Sequence, residues 1–165
     1  MKLNLSISQL RRYIKLLAVY LVAAVIILLG TAKGAEAASE SWGITVYRNP
    51  SCSCCGGWMD HLTAQGFQPR KVLTSDMDAL KQQYHVPNDL ASCHTAVING
   101  YVIEGHVPAD DIKHLIAEQS DVAGIAVPGM PIGTPGMESG NVREPFTVFS
   151  FDQQGNAKVF NHHSF

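Results

Sequence analysis

Apolar and β-branched residues occur along this chain in short runs, separated by stretches in which apolar positions recur every three or four residues. The short runs predict β-strands, and the periodic stretches predict helices. Strands are expected at 44–48, 67–73, 95–98, 101–103, 146–151 and 157–160, and helices at 58–65, 77–84 and 109–116. Gly66 after the first helix and Pro108 before the last occupy preferred positions at helix ends.

The dipeptide Asn99-Gly100 is the clearest local signal, because it joins two apolar β-branched runs. A type I′ turn needs positive φ at both central residues, which Asn and Gly tolerate, so a tight β-hairpin is expected here. The full order is then β-α-β, helix, β-hairpin, helix, with one extra hairpin at the C-terminal end. This order predicts a mixed α/β domain with a thioredoxin-like fold.

The amino-terminal 37 residues differ from the rest of the chain. Arg11, Arg12 and Lys15 precede an uncharged run of 14 residues at 16–29. That run is shorter than the roughly 20 residues of a membrane-spanning helix and is typical of a signal peptide, with a cleavage motif at 35–37. We therefore predict an export signal at 1–37 and a periplasmic domain at 38–165. An uncleaved anchor in the inner membrane is the alternative.

The charge of the predicted domain excludes one class of partner. After residue 37 the chain carries seven basic and thirteen acidic side chains, a net charge of −6 with histidine neutral. An acidic surface without a basic stripe argues against nucleic acid as a partner. Motifs of serine hydrolases, zinc proteases and nucleotide-binding loops are also absent from the sequence. A membrane is expected as a partner only through the amino-terminal segment, if that segment stays uncleaved.

Three of the four cysteines lie within four residues, at Cys52, Cys54 and Cys55, where the first strand is expected to give way to a helix. The N-terminus of a helix stabilises thiolates, which are nucleophiles in disulfide exchange and soft ligands for Cu(I) or Zn(II). Structural disulfides are the alternative in an exported protein. Adjacent cysteines pair only in a strained ring, so one of the three must find another partner.

The fourth cysteine, Cys93, directly precedes the first strand of the predicted hairpin. In a thioredoxin-like fold the loop that enters this strand faces the Cys-x-x-Cys turn. The four thiols are therefore expected to converge on one site, which redox chemistry alone does not require. His94, the next residue, is either a further ligand or a solvated turn residue.

A segment of 25 residues, 121–145, is rich in glycine and proline and is expected to be a long loop. Its two methionines, Met130 and Met137, carry thioethers that suit Cu(I); they are either ligands or apolar plugs that pack the loop onto the domain. Residues 124–138 are expected to fold across the thiol cluster and to screen a bound metal from water.

The remaining histidines carry weaker expectations. His61 is expected beside the site or at the surface. His106 and His114 are expected at the surface, and residues 161–163 are expected in a frayed polar tail or a weak accessory metal site.

Several motifs together resemble the periplasmic CopG-type copper-resistance family. They are Cys52-Ser-Cys-Cys-Gly-Gly-Trp58, Ser92-Cys-His-Thr-Ala-Val97, Gly105-His-Val-Pro108, Ala126-Val-Pro-Gly-Met-Pro131 and Gly133-Thr-Pro-Gly-Met-Glu138. The similarity extends from about residue 44 to residue 160. It implies a thioredoxin-like fold, copper bound through the four cysteines, and a role in copper handling or resistance.

The leading hypothesis is an exported protein that holds Cu(I) through Cys52, Cys54, Cys55 and Cys93, with His94, Met130 or Met137 completing the site. Four thiolates exceed the need of one Cu(I), which favours a multi-copper thiolate cluster. Other periplasmic copper-handling proteins are then expected partners, and copper-coupled redox activity is a further option. The main alternative is a thiol–disulfide oxidoreductase that uses Cys52 and Cys55 as catalytic residues. Zinc in a four-cysteine site is a third possibility.

Overall fold

The computed structural model describes residues 11, 13–18, 20–21 and 42–165. The chain divides into two compact units, residues 1–39 and 40–165. The described residues of the first unit are helical and exposed, and the predicted cleavage motif at 35–37 lies outside the described residues. In the described part of the chain, no helix combines the length and the apolar character needed to cross a membrane.

The second unit alternates strands and helices. Its elements are β1 (Trp42–Arg48), α1 (Cys54–Ala64), β2 (Phe67–Leu73), α2 (Met77–Gln83), a 3₁₀ turn (Asn88–Leu90), β3 (His94–Ile98), β4 (Tyr101–Glu104), α3 (Ala109–Glu118), β5 (Gly124–Ala126), β6 (Phe146–Phe151) and β7 (Ala157–His163).

The strands described here form one mixed sheet in the order β2-β1-β3-β4-β5-β6-β7. Strand β1 pairs parallel to β2 and antiparallel to β3, and β4 pairs antiparallel to β3 and parallel to β5. The last two strands continue the sheet in antiparallel fashion. The predicted mixed α/β class is confirmed, and the elements follow the predicted order except for β5, which the sequence pattern did not predict.

Local signals account well for several element boundaries. Asn99 and Gly100 both have positive φ, of 50° and 86°, as the predicted hairpin turn requires. Gly66, with φ of 92°, follows α1 as expected. Asp76 caps α2, because its carboxylate accepts a hydrogen bond from the backbone N–H of Ala79 at 3.0 Å.

Two expectations about loops are wrong. The segment 121–145 is not a loop throughout, because residues 124–126 form β5 and lie between β4 and β6 in the sheet. The residues 161–163 are not a frayed tail, because they belong to β7 and pair with β6. In both places the backbone finds hydrogen-bond partners far along the chain, which a local pattern does not reveal.

Buried apolar side chains form two clusters, one on each face of the sheet. Ile103 and Ile125 belong to the cluster that packs against α1 and α3, whereas Val102 and Ala126 belong to the other. This division follows from the alternation of side chains along a strand. Trp58 is fully buried in the first cluster. It anchors the start of α1 to the core.

Candidate metal centre

The fold brings all four cysteines together. Their sulfur atoms lie within 4.8 Å of one another. Cys52 and Cys55 are joined in a disulfide, and Cys54 and Cys93 are free thiols. The Cys54 sulfur lies 3.6 Å from that of Cys52 and 3.8 Å from that of Cys93. The predicted convergence of the thiols at one place is therefore what the fold produces.

Two local features hold the Cys52–Cys55 segment. Cys54 and Cys55 are the first two residues of α1, so the N-terminal end of the helix dipole faces the sulfur cluster. The guanidinium of Arg48, at the end of β1, donates a hydrogen bond to the backbone carbonyl of Cys52. Both effects place positive potential beside the sulfur atoms of this segment.

Two histidines flank Cys93, and only one of them was predicted near the site. The Cys93 sulfur lies 3.2 Å from Nδ1 of His94 and 3.2 Å from Nε2 of His106. The expectation that His106 lies at the surface is wrong, since both imidazoles are fully buried. The signal that pointed to His106 was the Gly105-His-Val-Pro108 motif. His106 lies between β4 and α3, and the residues around it show no hydrophobic pattern that distinguishes a buried histidine from an exposed one.

The tautomer of His106 follows from its second hydrogen bond. Its Nδ1 lies 2.7 Å from the backbone carbonyl oxygen of Pro135, which only accepts hydrogen bonds. Nδ1 therefore carries the proton, and Nε2 presents a lone pair to Cys93. This is the arrangement by which proteins orient a histidine that ligates a metal.

His94 is held by packing more than by hydrogen bonds. Its ring lies 4.3 Å from the ring of Trp58 and 5.0 Å from that of His106, measured between centroids. Among the described residues, Nε2 of His94 is a buried polar atom without a hydrogen-bond partner. The indole of Trp58 is fixed in turn by a 2.8 Å hydrogen bond to the carbonyl of Val107.

A buried ion pair holds the loop that carries Cys93. Glu104 is fully buried, forms a salt bridge with Lys81, and accepts hydrogen bonds from the backbone N–H of Ser92 and the hydroxyl of Thr95, each at 2.6 Å. The loop and the first residues of β3 are thus fixed to β4 and α2. Sequence reasoning missed this network, although a glutamate at the end of the apolar run 101–103 was a visible signal.

Burial keeps the groups around Cys93 neutral. It raises the pKa of Cys93 to about 12, and the neighbouring Cys54 thiol adds to this effect. Burial also lowers the pKa of His94 well below its usual value, with further contributions from His106 and Lys81. The pKa of His106 is lowered by burial as well, although its hydrogen bond to Pro135 opposes the shift. At neutral pH the two imidazoles are therefore uncharged, which is the form that binds metals.

The Gly/Pro/Met loop, residues 127–138, packs against the loop that carries Cys93 and against the start of α1. Gly129 accepts a hydrogen bond from the hydroxyl of Ser92, next to Cys93. Gly136 lies against the start of α1, so close that a Cβ at this position would meet the backbone nitrogen of Trp58 at 2.4 Å. Met130 is 52% exposed, and Met137 is half-buried. The loop thus reaches the site as expected, while the side chain of Met130 extends into solvent.

Three other histidines have partners outside the sulfur cluster. His61 accepts a hydrogen bond from the backbone N–H of Ala109 at the start of α3. His114 is exposed, as expected, and pairs with Glu118. His163 pairs with the buried carboxylate of Asp111 at 2.8 Å, which ties β7 to α3.

Two sets of potential metal ligands thus meet at one residue. Cys52, Cys54, Cys55 and Cys93 form the first set, and Cys93, His94 and His106 form the second, with their ligand atoms within 4.8 Å of one another in each. Sulfur and imidazole nitrogen suit soft and borderline cations such as copper and zinc.

Comparison with known proteins identifies relatives of this chain. A family model described as "Protein of unknown function, DUF411" matches residues 90–137. Two solved structures, of proteins named copper resistance protein CopG (forms 2 and 1), are each 43% identical in sequence and cover 76% of this chain and 100% of their own. Their TM-scores are 0.73 and 0.72. None of the curated proteins matches the chain significantly.

Proposed function

The chain belongs to the CopG copper-resistance family, and we propose on this basis that it binds Cu(I) through its four cysteines and acts in copper handling outside the cytoplasm. One observation carries the proposal: the four sulfur atoms lie within 4.8 Å of one another, at the start of a helix. Thiolates are the ligands that Cu(I) prefers, and four of them supply enough bridging sulfur for more than one ion.

Binding through all four sulfurs requires the disulfide to be open. Reduction of the Cys52–Cys55 bond takes two electrons and two protons from a dithiol reductant and yields two thiols. Copper then displaces the thiol protons, which pass to water. The buried thiol of Cys93, with its raised pKa, loses its proton only when the cation replaces it.

From the predicted export signal at 1–37 we propose that this chemistry takes place in the periplasm, where a disulfide such as Cys52–Cys55 forms unless a reductant or a metal prevents it. Other copper-handling proteins of that compartment are the expected donors or acceptors of the ion. Met137 and, through loop movement, Met130 are proposed as further thioether contacts for copper in transit.

The test is an anaerobic titration of the fully reduced protein with Cu(I), in competition with a chromophoric Cu(I) chelator. We expect tight uptake by the wild type and reduced uptake by Cys54→Ser and Cys93→Ser. Ser53→Ala is the matched control, because Ser53 lies between two of the cysteines and its side chain makes no capping hydrogen bond. No uptake by the wild type, or equal uptake by the cysteine variants, would overturn the proposal.

The disulfide itself favours a second candidate, a thiol–disulfide oxidoreductase. In that reaction a substrate dithiol transfers two electrons and two protons to the Cys52–Cys55 bond and leaves as a disulfide. The free thiol of Cys54, 3.6 Å from Cys52, competes with the substrate by attacking the mixed disulfide, which argues against efficient turnover. Multiple turnovers of a model dithiol by the copper-free protein would favour this candidate over copper binding.

A further inference from the structure

We infer that His61 forms an acid-sensitive contact between α1 and the start of α3. While its ring is neutral it accepts the backbone N–H of Ala109, and when the ring takes up a proton it turns to the carboxylate of Glu138. The inference concerns the metal-free protein and stands apart from the proposed copper function, which assigns His61 no role.

The start of α3 depends on α1 for a hydrogen-bond acceptor. The residue before this helix is Pro108, and its side chain forms no capping hydrogen bond. The backbone N–H of Ala109, the first residue of α3, instead donates a hydrogen bond to Nε2 of His61 at 3.2 Å. His61 lies in α1, so a side chain of one helix satisfies a free N–H group at the end of another.

The direction of this hydrogen bond fixes the protonation state of His61. A backbone N–H can only donate, so Nε2 presents a lone pair and the neutral ring carries its proton on Nδ1. A second proton would turn Nε2 into a donor that faces another donor, at the positive end of the α3 dipole. The contact with Ala109 therefore requires a neutral ring.

Charged groups on two other elements surround this ring. Burial lowers the pKa of His61, the carboxylates of Glu138 and Asp110 oppose this effect, and the ammonium of Lys113 adds to it. Asp110 already pairs with Lys113 within α3, at 3.8 Å. The carboxylate of Glu138, at the end of the Gly/Pro/Met loop, is thus the acceptor toward which the charged ring turns.

The sign of the pH dependence follows from the lowered pKa. The unfolded chain takes up this proton near pH 6.5 or so, whereas the folded chain resists it. The contact with Ala109 is therefore present at neutral pH and is lost as the pH falls through the lower pKa of the folded state. The Trp58–Val107 hydrogen bond does not titrate, so it confines the opening to the start of α3.

A second histidine at the same helical turn responds in the opposite sense. Nε2 of His163 donates a hydrogen bond to the buried carboxylate of Asp111 at 2.8 Å. A proton on His163 adds charge to this pair and strengthens it. Acid thus weakens the contact of α3 with α1 and preserves its contact with β7.

The experiment follows the amide resonance of Ala109 by NMR in the full, metal-free chain with the disulfide closed, from about pH 7.5 to about pH 4.5. We expect the amide proton of Ala109 to move upfield as its hydrogen bond is lost, with the same midpoint as the imidazole resonances of His61. Its protection factor against hydrogen exchange should fall at least tenfold across the transition. A ring that does not titrate in this range, or an Ala109 resonance that does not follow the ring, would overturn the inference.

His61→Gln assigns the transition, because the amide oxygen of glutamine accepts the same N–H but does not titrate. The movement of the Ala109 resonance should be absent in this variant and present in the matched control His114→Gln, which alters an exposed histidine of α3. A transition that persists in His61→Gln would belong to another group, such as His106, and would refute the role of His61.

Glu138→Gln tests the second partner without altering His61. Removal of the carboxylate that favours the charged ring should lower the midpoint of the His61 titration. An unchanged midpoint would show that the charged ring does not turn to Glu138. This measurement and the wild-type titration decide the question even if His61→Gln fails to fold.

Discussion

The backbone carbonyl of Pro135 determines how His106 takes part in chemistry. Because this oxygen accepts the Nδ1 proton, the other nitrogen faces Cys93 with a free lone pair. Burial in turn keeps the ring neutral by lowering its pKa. A histidine exposed to solvent would have neither the fixed tautomer nor the lowered pKa. The buried position of His106 therefore makes its imidazole a potential copper ligand.

The lowered pKa of His106 predicts a pH dependence of stability in the metal-free protein. The unfolded chain takes up a proton below about pH 6.5, whereas the folded chain resists it, so stability falls as the pH drops below that value. His106→Gln removes this contribution. The free energy of unfolding, measured with urea, should then fall less steeply between pH 7 and pH 5 in the variant than in the wild type. The two slopes should differ by up to about 1.4 kcal/mol per pH unit.

Other groups near His106 also titrate or carry charge, namely Cys93, His94 and Glu138. Because the comparison is between two proteins that share these groups, their contributions largely cancel. His114→Gln, which alters an exposed histidine, is the control for the loss of a histidine outside the core. Identical slopes for His106→Gln and the wild type would show that His106 does not resist protonation in the folded state.

The start of α1 and the Gly/Pro/Met loop depend on one another. The space over Gly57, at the start of α1, is occupied by the loop. A Cβ on Gly57 would lie 3.0 Å from the Cα of Gly136, and one on Gly136 would lie 2.4 Å from the nitrogen of Trp58. This close approach positions Pro135, and through its carbonyl it positions His106.

Gly136→Ala should therefore destabilise the domain by more than backbone strain alone. Gly140→Ala is the matched control, because Gly140 also has positive φ but has no atom within 4 Å of a built Cβ. Strain at positive φ costs each variant about 1 kcal/mol. The forced contact with α1 should cost Gly136→Ala a further 1–3 kcal/mol or so in urea denaturation. Equal losses in the two variants would contradict the packing of this loop on α1.

The sheet as a whole holds the sulfur cluster in place, with little help from the disulfide. Cys93 is fixed by the Lys81–Glu104 pair and by β3, and the other cysteines are fixed by β1 and α1. The disulfide closes a segment of only four residues. A loop this short removes little entropy from the unfolded chain, so its contribution to stability is about 2 kcal/mol.

Reduction should therefore lower the free energy of unfolding by about 2 kcal/mol and leave the fold intact. The measurement is urea denaturation followed by circular dichroism, with and without a phosphine reductant. Cys52→Ser cannot form this disulfide and should not respond to the reductant. Loss of the folded spectrum on reduction would mean that the domain depends on the bond, and that the reduced protein offers no preformed four-thiol site.

Local sequence signals were sufficient for much of this fold. The Asn99-Gly100 turn and the strand at 67–73 each depend on neighbouring residues, and each was predicted from them. The meeting of Cys93 with the other cysteines was also predictable, because the order of elements brings the entry of β3 beside the start of α1. Family resemblance added copper to this picture, which spacing alone left open between copper, zinc and disulfides.

Only the tertiary structure determined the surroundings of Cys93. The burial of His106, the pairing of Lys81 with Glu104, and the strand β5 inside an apparent loop all depend on contacts between residues far apart in the chain. A histidine or a glutamate has the same local pattern whether it is solvated or buried, because its burial depends on what packs over it. The sequence by itself therefore determined which elements form and that the thiols meet, and long-range packing determined which other side chains join them.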